Sequence, residues 1–181
     1  MTLLLVGALA FALFFASDCA QLRRCPGTVL FSLGGVLLCG ATLPLLFSVK
    51  RDLFAILCAA AALGFLALLL YTLFFALPKN AYTDGRPALV DRGVYALCRH
   101  PGVLWLGGFY LCLWGVCRTQ DALIAFLWFT LLDVAYAAWQ DRFVFSRTIA
   151  GYSAYRARIP FLLPTVRSIR LSIRRPDDRE V

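Results

Sequence analysis

The chain is 181 residues long, 61% hydrophobic and only 15% charged, with a formal net charge of +8. A soluble domain of this size runs nearer roughly half apolar and about a quarter charged. One small core cannot hide so much apolar surface, so the composition argues against a freely soluble enzyme and for a bilayer as solvent. Length suggests one domain, expected over 1–165 with a basic interfacial or disordered tail over 166–181.

Five apolar runs follow in chain order: Thr2 to Ala16, Gly27 to Val49, Leu53 to Leu77, Gly102 to Cys117 and Ala122 to Trp139. The second and third exceed the roughly 20 residues needed to cross a hydrocarbon core. The first and fourth are short, and the fifth carries Asp133. Backbone in lipid must satisfy its own hydrogen bonds, and the runs lack the alternation of barrel strands, so helices are expected. The fold class is therefore all-α, a polytopic bundle of about five transmembrane helices. The first run has no positive region ahead of it, which favours a retained helix over a cleaved signal. An acid such as Asp133 inside a span lines a pocket or fixes helix packing.

The connections set the orientation. Five crossings place the loop after the first helix, the 78–101 loop and the tail on one side. That side carries Arg23, Arg24, Lys79, Arg86, Arg92, Arg99 and nine arginines from Arg142 to Arg179; the other carries Lys50, Arg51 and Arg118. The basic side is expected to be cytoplasmic, leaving the N-terminus outside. The positive charge thus reads as topology and attraction to membrane lipids rather than nucleic-acid binding. The seven cysteines include no CxxC pair and are expected to be free hydrophobes without a metal.

Polar chemistry gathers on the basic side. Asp84-Gly85-Arg86-Pro87 is a turn signal. Farther on, Arg99 and His100, the only histidine, precede Pro101 and the fourth run. Proline suits the first turn of a helix, which puts His100 at or near its N-cap. Free N–H groups, the helix dipole and the Arg99 fork together suit a carboxylate or phosphate at that junction. After the fifth run, Gln140-Asp141 leads into a stretch expected to hold a short basic helix with Tyr152, Tyr155 and Arg156, ended by Pro160 and Pro164. The segment from Val166 to Arg175 mixes Val, Ile and Leu with arginine, as expected for a chain lying on the inner leaflet.

Two stretches resemble one family, the integral-membrane methyltransferases typified by isoprenylcysteine carboxyl methyltransferase and the phospholipid methyltransferases. The family's leading motif is roughly L-V-x-x-G-x-Y-x-x-x-R-H-P-x-Y-x-G, and Leu89, Val90, Gly93, Tyr95, Arg99, His100 and Pro101 fit it in step. The second motif, E-E-x-x-L…F-G-x-x-Y-x-x-Y-x-x-x-x-P, is matched by Tyr152, Tyr155 and Pro160, with Arg142 and Phe143 also typical. The resemblance covers about residues 53–165.

It implies methyl transfer from S-adenosylmethionine, bound at the cytoplasmic ends of the last two helices, to a lipid or lipophilic acceptor arriving through the membrane. It makes Arg99 and His100 the expected catalytic residues, and Leu89, Val90, Tyr95, His100, Pro101 and Asp141 the expected cofactor contacts. Trp105, Tyr136 and Arg156 are the expected acceptor contacts. Methyl transfer from a sulfonium is an in-line displacement, so alignment and exclusion of water are the protein's main contributions.

The chain departs from the family at several positions. Val103 and Trp105 stand where it keeps Tyr and Gly; Gln140-Asp141 replaces the Glu pair, Thr148-Ile149 the Phe-Gly pair, and Pro87 a frequent His. Tyr136-Ala137 occupies the place of a substrate-holding arginine in the carboxyl methyltransferase branch, which argues against a prenylcysteine acceptor. Two alternatives therefore stay open: a non-catalytic scaffold or lipid-binding protein that keeps the fold, and a membrane lipid reductase using a nicotinamide cofactor.

Overall fold

The computed structural model describes residues 1–23, 25, 27–76 and 89–173, and the backbone of 82–83 and 86–87. Four long apolar helices come first to notice. α1 spans Thr2–Leu22; α2 spans Thr28–Thr42 and continues as a 3-10 segment, Leu43–Ser48; α3 spans Leu53–Phe74. After α4 (Val94–Leu97) and α5 (Pro101–Cys117), α6 runs Gln120–Trp139 into a π-helical stretch, Gln140–Val144, and α7 (Phe145–Thr148). The short α8 (Tyr152–Arg158) and α9 (Val166–Ile173) complete the described chain. Thr2–Leu22, Thr28–Ser48, Leu53–Phe74 and Gln120–Thr148 are each long and apolar enough to cross a membrane; α5, the fourth apolar run, is shorter at 17 residues.

Local chemistry sets the boundaries. Pro44 lacks the N–H that would continue the α-ladder, and α2 tightens there into its 3-10 segment. The Asp52 carboxylate caps α3 by accepting from the Ala55 N–H at 2.9 Å, and the Thr119 hydroxyl accepts from the Ala122 N–H of α6 at 3.3 Å. Pro101 occupies the first turn of α5 with His100 as N-cap residue, as its sequence position indicates. The Asp84-Gly85 turn itself lies outside the described residues, as do Lys79 and Arg24. The flanking Tyr82–Thr83 (β1) and Arg86–Pro87 (β2) pair antiparallel, the one strand pair among the described residues.

Contact registers fix the bundle. α3 lies antiparallel to α5, with Cys58 against Gly115, Phe65 against Gly108 and Leu69 facing Gly102. α1 runs parallel to α6, since Gly7 meets Phe129 at one end and Asp18 meets Tyr136 and Gln140 at the other. The core between them is apolar: Phe11, Phe14, Leu45, Leu106, Tyr110, Leu113 and Phe129. Most of α2 and α3 instead faces outward with exposed Leu, Val, Ile and Phe, the pattern expected of a lipid-facing surface. At one end the two short loops are tied by the Arg118–Asp52 ion pair and by the Lys50 N–H donating to the Val116 carbonyl at 3.1 Å. Among the described residues the buried Arg99–Asp141 pair, the π-helical stretch and the short helices α4, α8 and α9 lie at the other end.

The tail expected over 166–181 is described only in its first part. Val166–Ile173 is a helix that packs on α4, because Ser168 and Leu171 face inward; residues 174–181 lie outside the described residues.

Candidate functional site

The site is built where the sequence places its two motif stretches, and the backbone joins them first. The Arg99 N–H donates to the Pro160 carbonyl at 2.9 Å and the His100 N–H to the Phe161 carbonyl at 3.3 Å. The chain before α5 is thus clasped by the chain after α8. Gly93 at φ +60° and Gly151 at φ +76° make the turns that start α4 and α8, conformations an L side chain rarely adopts. The Tyr155 hydroxyl then donates to the Tyr95 carbonyl at 2.6 Å, locking α8 onto α4.

Asp141 is the centre of the side-chain chemistry. It is buried in the π-helical stretch that follows α6, a backbone irregularity of the kind that recurs at functional sites. Arg99 Nη1 lies 2.9 Å from each of its oxygens. The Tyr152 hydroxyl donates to Oδ1 at 2.5 Å, and Arg156 Nε approaches Oδ2 at 3.4 Å. His100 Nε2 stands 3.4 Å from Oδ1, an approach that makes no hydrogen bond of good geometry. Arg99 and Asp141 side chains are 9% and 5% exposed, so this ion pair is dry, whereas Arg156 is half-exposed. Aromatic rings close it: His100 stacks on Phe145 at 5.8 Å, and Phe161 lies edge-on to His100 and 5.6 Å from the Arg99 guanidinium.

The tyrosines are held in their donor form. Burial pushes the Tyr95 phenol up to about 12, and it donates to the Thr72 carbonyl at 3.1 Å. Burial, then the Asp141 carboxylate, raise the Tyr152 phenol above its ordinary value; burial does the same to Tyr155. The Cys98 thiol, beside Arg99 in the chain, is pushed up to about 11 by burial.

Three buried side-chain polar atoms among the described residues have no hydrogen-bond partner: Arg99 Nε, His100 Nε2 and Thr130 Oγ1. Two of them belong to adjacent motif residues at this cluster. Buried polar groups are normally paired, so these two are free valences for an added polar atom. A guanidinium N–H can only donate, which makes its missing partner an acceptor oxygen.

The other expected site residues divide. Leu89 packs against the Tyr152, Tyr155 and Ile159 cluster, Val90 beside it is half-buried, and Pro101 is fully buried under the clasp. Trp105 points along α3, its indole donating to Thr72 Oγ1 at 3.1 Å. Tyr136 belongs to a second polar group: its hydroxyl donates to Asp18 Oδ2 at 2.6 Å, and Gln140 Nε2 donates to the same oxygen at 2.7 Å. Asp133 shares a face of α6 with Ala125, Phe129 and Tyr136 at helical spacing and has no hydrogen bond among the described residues. Asp18 and Thr72 escape a reading of the sequence. Their signal was present: Asp18 is the one acid of α1, and Thr72 the one hydroxyl besides Tyr71 in the leucine-rich α3.

No protein-family model matches the chain, and neither a curated protein nor a solved structure matches it at significance.

Proposed function

We propose that the chain is a five-span membrane methyltransferase, with its N-terminus outside and its site on the cytoplasmic side, transferring methyl from S-adenosylmethionine to a lipid or lipophilic acceptor. The observation that carries this reading is the convergence of the two motif stretches at one end of the bundle, with Arg99 Nε and His100 Nε2 buried there and unpartnered. The strong excess of basic residues on the loops and tail of that end supports the orientation. The parallel course of α1 and α6 agrees with an odd number of crossings on each side of α5.

The residues fit the cofactor's carboxylate: Arg99 and His100 would hold it at the start of α5, where the helix dipole favours an anion. Tyr95, Leu89 and Val90 would contact the remainder of the cofactor, and Pro101 shapes the helix start. When bound, the cofactor supplies an electrophilic methyl group on its sulfonium. Asp141 has its oxygens engaged by Arg99, Tyr152 and Arg156, so its part is to orient Arg99 rather than to receive a ribose hydroxyl. Trp105, Tyr136 and Arg156 would be the acceptor contacts. Calorimetric titration of the purified protein with S-adenosylmethionine and with its demethylated product tests the reading. Binding that His100→Ala abolishes is expected; no detectable heat with wild-type protein sinks it. NADPH in the same cell separates a reductase. Exposed Cys25 reports sidedness: an impermeant maleimide is expected to label it in inside-out vesicles and not in right-side-out ones.

One observation favours a second reading, a scaffold that keeps the fold without catalysis. Both oxygens of the Asp141 carboxylate are already engaged within the chain, as in a structural lock. Methyl transfer to any component of a membrane extract rules that reading out.

A further inference from the structure

α9 has two unlike faces. A reciprocal cap starts it: Thr165 Oγ1 accepts from the Ser168 N–H at 3.2 Å and Ser168 Oγ accepts from the Thr165 N–H at 2.9 Å. Ser168 is 1% exposed, and Leu171 packs on the Tyr152, Tyr155 and Ile159 cluster, so this side is committed to the protein. Val166, Ile169 and Ile173, spaced three and four apart, fall on the opposite side and are 69%, 42% and 76% exposed. Leu163, just before the helix, is 78% exposed. Arg167 and Arg170 line one edge of this stripe, and in sequence Arg174 and Arg175 follow directly.

An exposed apolar stripe bordered by arginines is the composition of a helix that lies in a membrane interface. Its position agrees, because α9 packs on α4 at the end of the bundle where α3, α5 and α6 begin or finish. Phe74 and Phe75, at the end of α3, are likewise exposed at that end. A second protein would have to match both the stripe and the cations; an anionic leaflet does so by its ordinary chemistry.

We propose that α9 is a docking helix for an anionic bilayer surface, inserting Val166, Ile169 and Ile173 among acyl chains while Arg167 and Arg170 bind acidic headgroups. The proposal rests on the membrane spans and not on methyl transfer. Through Ser168 and Leu171 the docked helix bears on α4 and on the Tyr155 contact, so lipid charge is felt by the clasp around Arg99.

Hydroxyl-radical footprinting of the full chain in lipid nanodiscs tests it. Discs of phosphatidylcholine are compared with discs in which roughly a third of the lipid is phosphatidylglycerol; each arginine contributes about a fivefold preference for the anionic surface. Oxidation of Val166, Ile169 and Ile173 is expected to fall severalfold in the anionic discs, and Arg167→Gln with Arg170→Gln is expected to restore it. Both arginines are surface residues, so the variant keeps its fold, checked by an unchanged footprint at Tyr152 and Tyr155. Equal oxidation in the two discs overturns the proposal. So does protection that depends on protein concentration, which assigns the face to a second copy of the chain.

Discussion

Replacing Asp141 by asparagine keeps the shape and the Oδ1 acceptor but removes the charge that faces Arg99. Both side chains of that pair are nearly dry, 9% and 5% exposed. Removing one partner of a buried pair leaves the other charge uncompensated, at about 3–5 kcal/mol. The retained amide oxygen can still accept from Tyr152, so the lower end, about 3 kcal/mol, applies. Arg156 adds little, because at 50% exposure it is screened by water. For a chain of this length about 1 kcal/mol moves the melting temperature by roughly 2–4 °C, which gives a fall of about 6–12 °C for Asp141→Asn. Circular dichroism of the detergent-purified protein measures it. A double variant with Arg99→Met is expected to lose less than the sum of the two singles, with a coupling of about 1–3 kcal/mol. A fall below about 2 °C, or strict additivity, refutes the view that this pair organises the end of the bundle.

A Cβ on Gly34 would lie 2.7 Å from the Phe14 ring and 2.9 Å from the Ala10 carbonyl, whereas one on Gly35 meets nothing within 4 Å. Gly34→Ala is therefore expected to destabilise by about 1–3 kcal/mol and Gly35→Ala to be neutral or stabilising by up to about 1 kcal/mol; equal melting shifts contradict the α1–α2 register. With its thiol near 11, Cys98 is about one part in a thousand thiolate at pH 8, and burial blocks access as well. Mass spectrometry after brief maleimide treatment should find exposed Cys25 modified and Cys98 intact until the protein is denatured; early modification of Cys98 counts against the packing of α4. Tyr155→Phe strands the Tyr95 carbonyl at a cost of about 1–3 kcal/mol. Hydrogen exchange over 94–98 is expected to speed up, and unchanged exchange means α8 does not hold α4.

The long apolar helices were legible because each carries its hydrophobicity in its own run, as in Leu53 to Leu77. Pro101 marked the start of α5, and the Tyr152, Tyr155, Pro160 spacing marked α8, because proline and periodicity act locally. The Asp141 cluster was legible only as neighbouring motifs. The partner of Arg99 lies 42 residues away, and no local rule says that the carboxylate at this helix start belongs to the chain itself. Trp105 and Tyr136 show the same limit. Each stands at a motif position, yet its polar atom is engaged by Thr72 or by Asp18, residues on helices that the motifs do not reach.

The clasp of residues 99–100 onto 160–161 also sets an order of assembly. Every long apolar helix is complete by Trp139, before Tyr152, Arg156 and the two accepting carbonyls have been synthesised. During biogenesis the inserted bundle therefore carries Arg99 beside Asp141 without its rings, its phenol or its backbone partners. A chain broken between α7 and α8 keeps every apolar helix and loses the polar end. That makes α8 and residues 160–161 the closing step in forming the Arg99–Asp141 cluster.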